Sequence, residues 1–311
     1  AVRIRDFNAL NDLLFKYVFG RPERKNITID FLNAVLDREG AEAIADINFE
    51  DRSQDPEYED AKQSMLDINC TTEKGEKINI EVQVRKYIHM DKRTLYYWSR
   101  LYTASIKRKE EYIKLKPAIT INLLGNNLLP QDNYHSKYIL YEPSCGHRLT
   151  NDLEIHFLEI QKLRRKKPSE MGRLEKWLAF LANKLDNEEM EEIAMSETAI
   201  NQAWNAISYY MLDEEQRKAY DGCEKAERDY YSFLAGAKEE GREEGREEGR
   251  EEGREEGREE GLEEGEVIGV NKMSLACLRN GIEIEKVAQM SGMSTAEIRK
   301  LAEENGIEIA G

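Results

Sequence analysis

Met65-Leu66-Asp67-Ile68-Asn69-Cys70-Thr71, then Glu73-Lys74-Gly75-Glu76, then Lys77-Ile78-Asn79-Ile80-Glu81-Val82-Gln83-Val84 is the stretch on which the fold turns. The second run alternates apolar and polar residues over eight positions, the signature of a strand with two unlike faces. Lys74-Gly75 supplies the turn, because glycine adopts a positive φ without a Cβ clash. The two runs therefore read as a β-hairpin. Ile78, Ile80, Val82 and Val84 point to one side, and Asn79, Glu81 and Gln83 to the other. With the turn centred on Lys74-Gly75, paired residues have numbers summing to about 149. Asp67 then lies opposite residue 82, or, with an offset of one, beside Glu81 or Gln83. Two carboxylates and a polar amide converge on one face.

Outward from the hairpin the chain keeps an α/β order. Residues 7–36 read as two helices, with Leu10, Leu13, Leu14, Tyr17 and Val18 at helical spacing and Gly20 and Pro22 as the break. Residues 44–49 read as a short strand, and 51–63, polar and holding Pro56, as a loop. Residues 90–112 have the spacing of a long helix, Leu95, Trp98, Leu101, Tyr102 and Ile106 sharing a face. Strands are expected at 117–124, 137–141 and 154–160. After Pro168 the pattern turns helical, with Trp177, Leu178, Leu181, Leu185, Ala203, Trp204, Ile207 and Tyr210 as core candidates.

The net charge is −16, but residues 239–266 carry fifteen Glu against five Arg, a net of −10, which leaves −6 for the rest. A nucleic-acid partner is thus compatible with the charge, since the local field at a site matters more than the total. Basic clusters stand at 107–109 and 164–167; either alone is more often a solvated surface than a phosphate contact. Residues 241–264 repeat Gly-Arg-Glu-Glu five times, then Gly-Leu-Glu-Glu. Each glycine costs roughly 1 kcal/mol against alanine in a helix, and each i,i+3 ion pair returns only about 0.2–0.5 kcal/mol. A period of four drifts about 40° per unit around a helix of 3.6 residues per turn, so no apolar seam forms. The tract reads as a solvated helical spacer. Beyond it, Met273, Leu275 and Leu278, Asn280-Gly281, then Ile284, Val287, Ala288 and Met290, Ser291-Gly292-Met293-Ser294, and Ile298 and Leu301 form a three-helix pattern resembling a helix-turn-helix, with Ser294 as a cap. It reads equally as a small helical interaction module, because Lys272, Arg279, Lys286, Arg299 and Lys300 are its only cations.

The four cysteines, Cys70, Cys145, Cys223 and Cys277, are far apart and form no CxxC pair, and the histidines at 89, 135, 147 and 156 are scattered. That excludes a zinc site by pattern and suits reduced thiols in a cytoplasmic protein. No apolar run reaches the length of a membrane span.

Asp67 with Glu81-Val82-Gln83, in an order of helix, strand, hairpin, long helix and strand, resembles the PD-(D/E)xK nuclease superfamily. More narrowly, the chain resembles the recombination-promoting nuclease (Rpn) family, also described as PD-(D/E)xK family transposases. The segments that carry the resemblance are Asn11-Asp12-Leu13-Leu14-Phe15-Lys16-Tyr17-Val18-Phe19-Gly20, Leu66-Asp67-Ile68, Ile80-Glu81-Val82-Gln83 and Asp91-Lys92-Arg93-Thr94-Leu95-Tyr96-Tyr97-Trp98. It implies a restriction-endonuclease-like core followed by an all-α C-terminal half with a long charged helix. It implies an endonuclease that hydrolyses phosphodiester bonds in double-stranded DNA with Mg²⁺ or Mn²⁺ and promotes recombination. Asp67 and Glu81 would bind the metal, helped by the Val82 carbonyl, and Asp12 matches an upstream acidic position. Gln83 stands where the superfamily has lysine; it cannot act as a cation, but it can orient water or phosphate. Lys16, Arg93 and Tyr97 are candidate substrate contacts, with core or surface roles as the alternative. The expected division is a nuclease-like domain at 1–165, a helical extension at 166–237, the spacer at 238–266 and the tail at 267–311. A homodimer is allowed and no membrane partner is expected. The competing readings are a DNA-binding regulator with a degenerate core, and an oligomerising scaffold built on the repeat.

Overall fold

The computed structural model describes residues 7–50, 68–85, 88–107 and 109–307. The expected loop at 51–63, the first residues of the hairpin and Asp67 itself lie outside them. The chain divides into two compact units, residues 1–228 and 229–311.

The first unit opens with α1 (Asp12–Phe19) and α2 (Lys25–Leu36). Asn11 starts α1: its side-chain oxygen accepts the backbone N–H groups of Leu13 and Leu14, which have no partner inside the helix. Leu14, Phe15, Val18 and Phe19 are buried, whereas Leu13 is exposed. The strands follow: β1 (Ile47–Glu50), β2 (Ile68–Thr72) and β3 (Lys77–Gln83). The turn between β2 and β3 has Gly75 at φ +86°, where a side chain would be strained. Then come α3 (Met90–Thr103), β4 (Ala118–Leu124), β5 (His135–Tyr138) and β6 (Leu153–Glu159). The sheet runs β1-β2-β3-β4-β6-β5. Its first three strands are antiparallel, β4 runs parallel to β3 and to β6, and β5 pairs antiparallel at the edge. α3 is the crossover that the parallel β3–β4 pair requires. This is the expected α/β core, mixed sheet and hairpin included.

The hairpin register takes the offset of one that the turn allows: Ile68 pairs with Ile80, Asn69 with Asn79 and Cys70 with Ile78, so the paired numbers sum to 148. Two departures have local causes. The long helix stops at Thr103 and does not run on to 112, because 107–111, Lys-Arg-Lys-Glu-Glu, offers no apolar side chain to bury. The first strand begins at Ile47, because the backbone of Ile44 is taken up by Asn33, whose amide bonds both its N–H and its carbonyl.

Helices α4 (Arg173–Leu181), α5 (Asn187–Ser196) and α6 (Thr198–Leu212) complete this unit. The main apolar core gathers Phe15, Phe19 and Phe31 with Ile78, Ile80, Val82, Ile119, Ile121 and Leu123, and with Trp177, Phe180, Ile200 and Ile207, and a smaller cluster holds Met90, Leu124, Ile155 and Phe157. Trp177 packs on Phe19 and Phe31 at 5.5 and 5.7 Å between ring centroids, and its indole N–H donates to Asp30 at 2.8 Å. The helix α7 (Glu214–Arg279) follows, and its first turns belong to this unit. Tyr220 on α7 is buried, and its hydroxyl accepts the N–H of Asn8.

In the second unit, the Gly-Arg-Glu-Glu repeat is helical and exposed throughout. The unit ends in α8 (Ile284–Ser291) and α9 (Thr295–Glu304). A separate small core holds Leu278, Ile284, Val287, Ala288, Ile298 and Ala302. Ser294 caps α9 by accepting the N–H of Glu297, and Gly281 and Gly292 take positive φ at the two turns. Among the described residues, no helix is long and apolar enough to cross a membrane.

Candidate active site

The sheet has two unlike faces. Ile78, Ile80 and Val82 of β3, with Ile119, Ile121 and Leu123 of β4, enter the apolar core. The opposite face pairs Asn69 with Asn79, Asn79 with Thr120, and Glu81 with Asn122. All five of these side chains are buried. α3 packs over this polar face. Thr94 on α3 shares hydrogen bonds with the Asn122 amide, and the Trp98 indole donates to the Ala118 carbonyl at 2.8 Å. Leu95, expected on the buried face, is half exposed, and its neighbour Thr94 is the residue that meets the polar layer.

Glu81 is the most consequential member of this layer. Its residue exposure is 3 %, and a carboxylate so placed needs a charged or hydrogen-bonded partner. Arg93, one turn into α3, provides it: Nε and Nη2 donate to the same oxygen, Oε1, at 3.1 and 2.8 Å. The guanidinium also lies over the Tyr97 ring, 4.8 Å from its centroid. For the other oxygen, Oε2, no hydrogen-bond partner is found among the described residues. Gln83, two residues on and half buried, lines a small crevice with Arg85, Met90, Leu124, Asn126 and Leu128. The far wall of this crevice is held by Glu159, fully buried at the end of β6. Its Oε1 accepts the N–H groups of Leu128 and Leu129, and its Oε2 accepts Lys162, which also bonds the Leu129 and Gln131 carbonyls. The Val82 side chain points away, into the core.

Asp12 stands in the first turn of α1, half buried, in a different company: Glu224 and Glu227 of α7, and Arg85. Burial raises its carboxyl to about 6, and the Glu227 and Glu224 charges push the same way against Arg85. Burial and Glu224 raise Glu227 as well. Glu224 also accepts the Asn11 amide at 2.9 Å, so α7 reaches the residue that caps α1. Lys16 is exposed on α1. Neither Glu224 nor Glu227 was foreseeable from the sequence, since both stand over 200 residues after Asp12 in a helix with many other carboxylates. The sequence offers Arg93 as a candidate substrate contact, but not as the partner of Glu81.

Among the described residues, no group of three or more His, Cys, Asp or Glu converges on a metal position. Asp67 lies outside these residues, joined to Ile68, whose partner on β3 is Ile80. The donors at hand, the Glu81 carboxylate and the Gln83 amide oxygen, are hard oxygens. Such a set suits Mg²⁺ or Mn²⁺, which need only one or two carboxylates beside waters and a phosphate, and not a thiolate-seeking ion.

A six-stranded mixed sheet, a polar-faced hairpin and a covering crossover helix define a restriction-endonuclease-like nuclease core. The family model for PD-(D/E)XK nuclease family transposases matches residues 9–237, and the chain belongs to that family. The match runs through α4–α6 and into α7. No curated protein and no solved structure matches the chain.

Proposed function

We propose that the chain is an Mg²⁺- or Mn²⁺-dependent endonuclease that hydrolyses phosphodiester bonds in double-stranded DNA and so promotes recombination. The observation that carries this reading is Glu81: an ionisable side chain buried on the polar face of the central hairpin, two residues before Gln83 and held by a guanidinium. An unused carboxylate at such a position would be a net cost to the fold. In this reading, Glu81 and Asp67 hold the ion, with the Val82 carbonyl as a further oxygen. When bound, the ion supplies Lewis acidity, stabilising charge on the phosphoryl group and acidifying water. Gln83 orients the attacking water or a phosphate oxygen by hydrogen bonding, as its uncharged amide allows. Asp12, whose carboxyl burial raises to about 6, can exchange a proton near neutral pH. The tail at 267–311 adds a second contact, to DNA or to protein.

Plasmid nicking tests this. Supercoiled DNA should be relaxed in Mg²⁺ or Mn²⁺ and left intact in EDTA. Asp67→Ala and Glu81→Ala should each reduce the rate by at least about 100-fold, the scale of losing a principal electrostatic group. Equal rates in EDTA, or full activity in both variants, would exclude the reading.

A further inference from the structure

We infer that Arg93 is the resident counter-cation of Glu81, a positioning residue that a divalent metal must displace and that a DNA phosphate draws off, so that metal loading and substrate binding are coupled. The inference rests on the metal-site reading of Glu81 given above.

Three observations carry it. Nε and Nη2 of Arg93 both donate to Oε1 of Glu81, at 3.1 and 2.8 Å, so the guanidinium covers one edge of the carboxylate and offsets its charge. A divalent ion approaching that carboxylate meets a positive charge already in place, and in a site of low effective dielectric this repulsion is strong. Secondly, the Tyr97 ring, 4.8 Å from the guanidinium and one helical turn along α3, offers a flat surface over which a cation can remain when it leaves a carboxylate. Thirdly, Arg93 lies at the first turn of α3, where the helix dipole disfavours a cation and favours an incoming anion. A phosphate oxygen matches the guanidinium fork as well as a carboxylate does. Glu81 is buried in its layer, at the centre of the sheet. The exchange thus moves the arginine: with substrate absent it sits on Glu81, and with a phosphate present it turns outward and leaves the carboxylate to the ion. By linkage, DNA then tightens metal binding by the same factor as metal tightens DNA binding.

The test is the affinity of the full chain for Mn²⁺, measured by titration calorimetry with and without a short duplex, in the wild type, Arg93→Gln and Arg93→Lys. The duplex carries a non-hydrolysable backbone so that no turnover intervenes. Without DNA, Arg93→Gln should bind Mn²⁺ about tenfold or more tightly than the wild type. Arg93→Lys, which keeps the charge and loses the fork, should bind about threefold more tightly. The duplex should tighten Mn²⁺ binding in the wild type by about tenfold, and in Arg93→Gln by less than twofold. Circular dichroism reports whether each variant is folded, and if Arg93→Gln is not, Arg93→Lys decides. A merely structural brace predicts unchanged or weaker metal binding on its removal, and that result overturns the inference while leaving the metal site standing. Failure of the wild type and both variants to bind Mn²⁺ under either condition overturns the metal site and the inference together.

Discussion

At the scale of single residues, the buried and half-buried carboxylates of the first unit divide into groups that are matched and groups whose charge is held at a cost. Asp12 is of the second kind. Its folded carboxyl is raised from 3.8 to about 6, first by burial and then by Glu227, so between those values the folded state binds more protons than the unfolded one. Stability from this group is fully present below pH 3.8 and is lost as pH rises to 6. The full linkage of about 3 kcal/mol is reduced by solvent screening of a half-buried group to about 1–2 kcal/mol. Asp12→Asn should therefore melt higher than the wild type at pH 7.5 and at the same temperature near pH 4, in scanning calorimetry with EDTA present. Glu159 belongs to the matched kind. Glu159→Ala would leave Lys162 without its carboxylate and two backbone N–H groups without acceptors. The expected loss is about 3–5 kcal/mol, read from urea unfolding as a lower midpoint at similar slope.

At the scale of elements, α7 shows what a helix can be without an apolar stripe. From 239 to 266 every residue is exposed, and a Cβ added at any of the seven glycines from Gly241 to Gly265 would meet nothing within 4 Å. The only consequence of those glycines is the entropy they bring to the unfolded chain. Changing Gly245, Gly249 and Gly253 to Ala should hence raise the helical stability of the tract by roughly 1 kcal/mol per site, seen as ellipticity at 222 nm persisting to higher temperature. The melting of the first unit should not move, and a lowered first-unit transition would show that the glycines serve packing. α3 is the opposite case. Its amphipathic spacing names the helix correctly, but the face it buries is set by Asn122, Ala118 and Glu81 below, which select Thr94, Trp98 and Arg93.

At the scale of the whole molecule, the core around Trp177 joins the sheet to helices that follow it by many residues. Arg173 pairs with Asp30, the Trp177 indole bonds the same carboxylate, and Tyr220 holds the backbone of Asn8. A fragment of residues 1–163 would expose Phe19 and Phe31 where Trp177 had covered them. Residues 1–228 should melt cooperatively near the temperature of the full chain, whereas 1–163 should show no cooperative transition, by near-UV circular dichroism. A cooperative melt of the shorter fragment would show that α4–α6 are dispensable to the fold.

The hairpin, its alternating faces, the Glu81 and Gln83 spacing, the solvated repeat and the capped tail helices were all legible along the chain, because each depends on a period of two or four residues or on a local turn, and local periodicity is written in neighbours. The family resemblance was legible for the same reason, resting on short motifs within single elements. What only the tertiary structure decided was company: that Arg93 comes down on one oxygen of Glu81, that Glu224 and Glu227 return from α7 to stand beside Asp12, and that Glu159 ties down the wall of the Gln83 crevice. Charges of these types recur all along the chain, and no pattern distinguishes the pair that meets from the many that do not. Burial selects among them, because a charge removed from water must find its partner wherever the fold brings one.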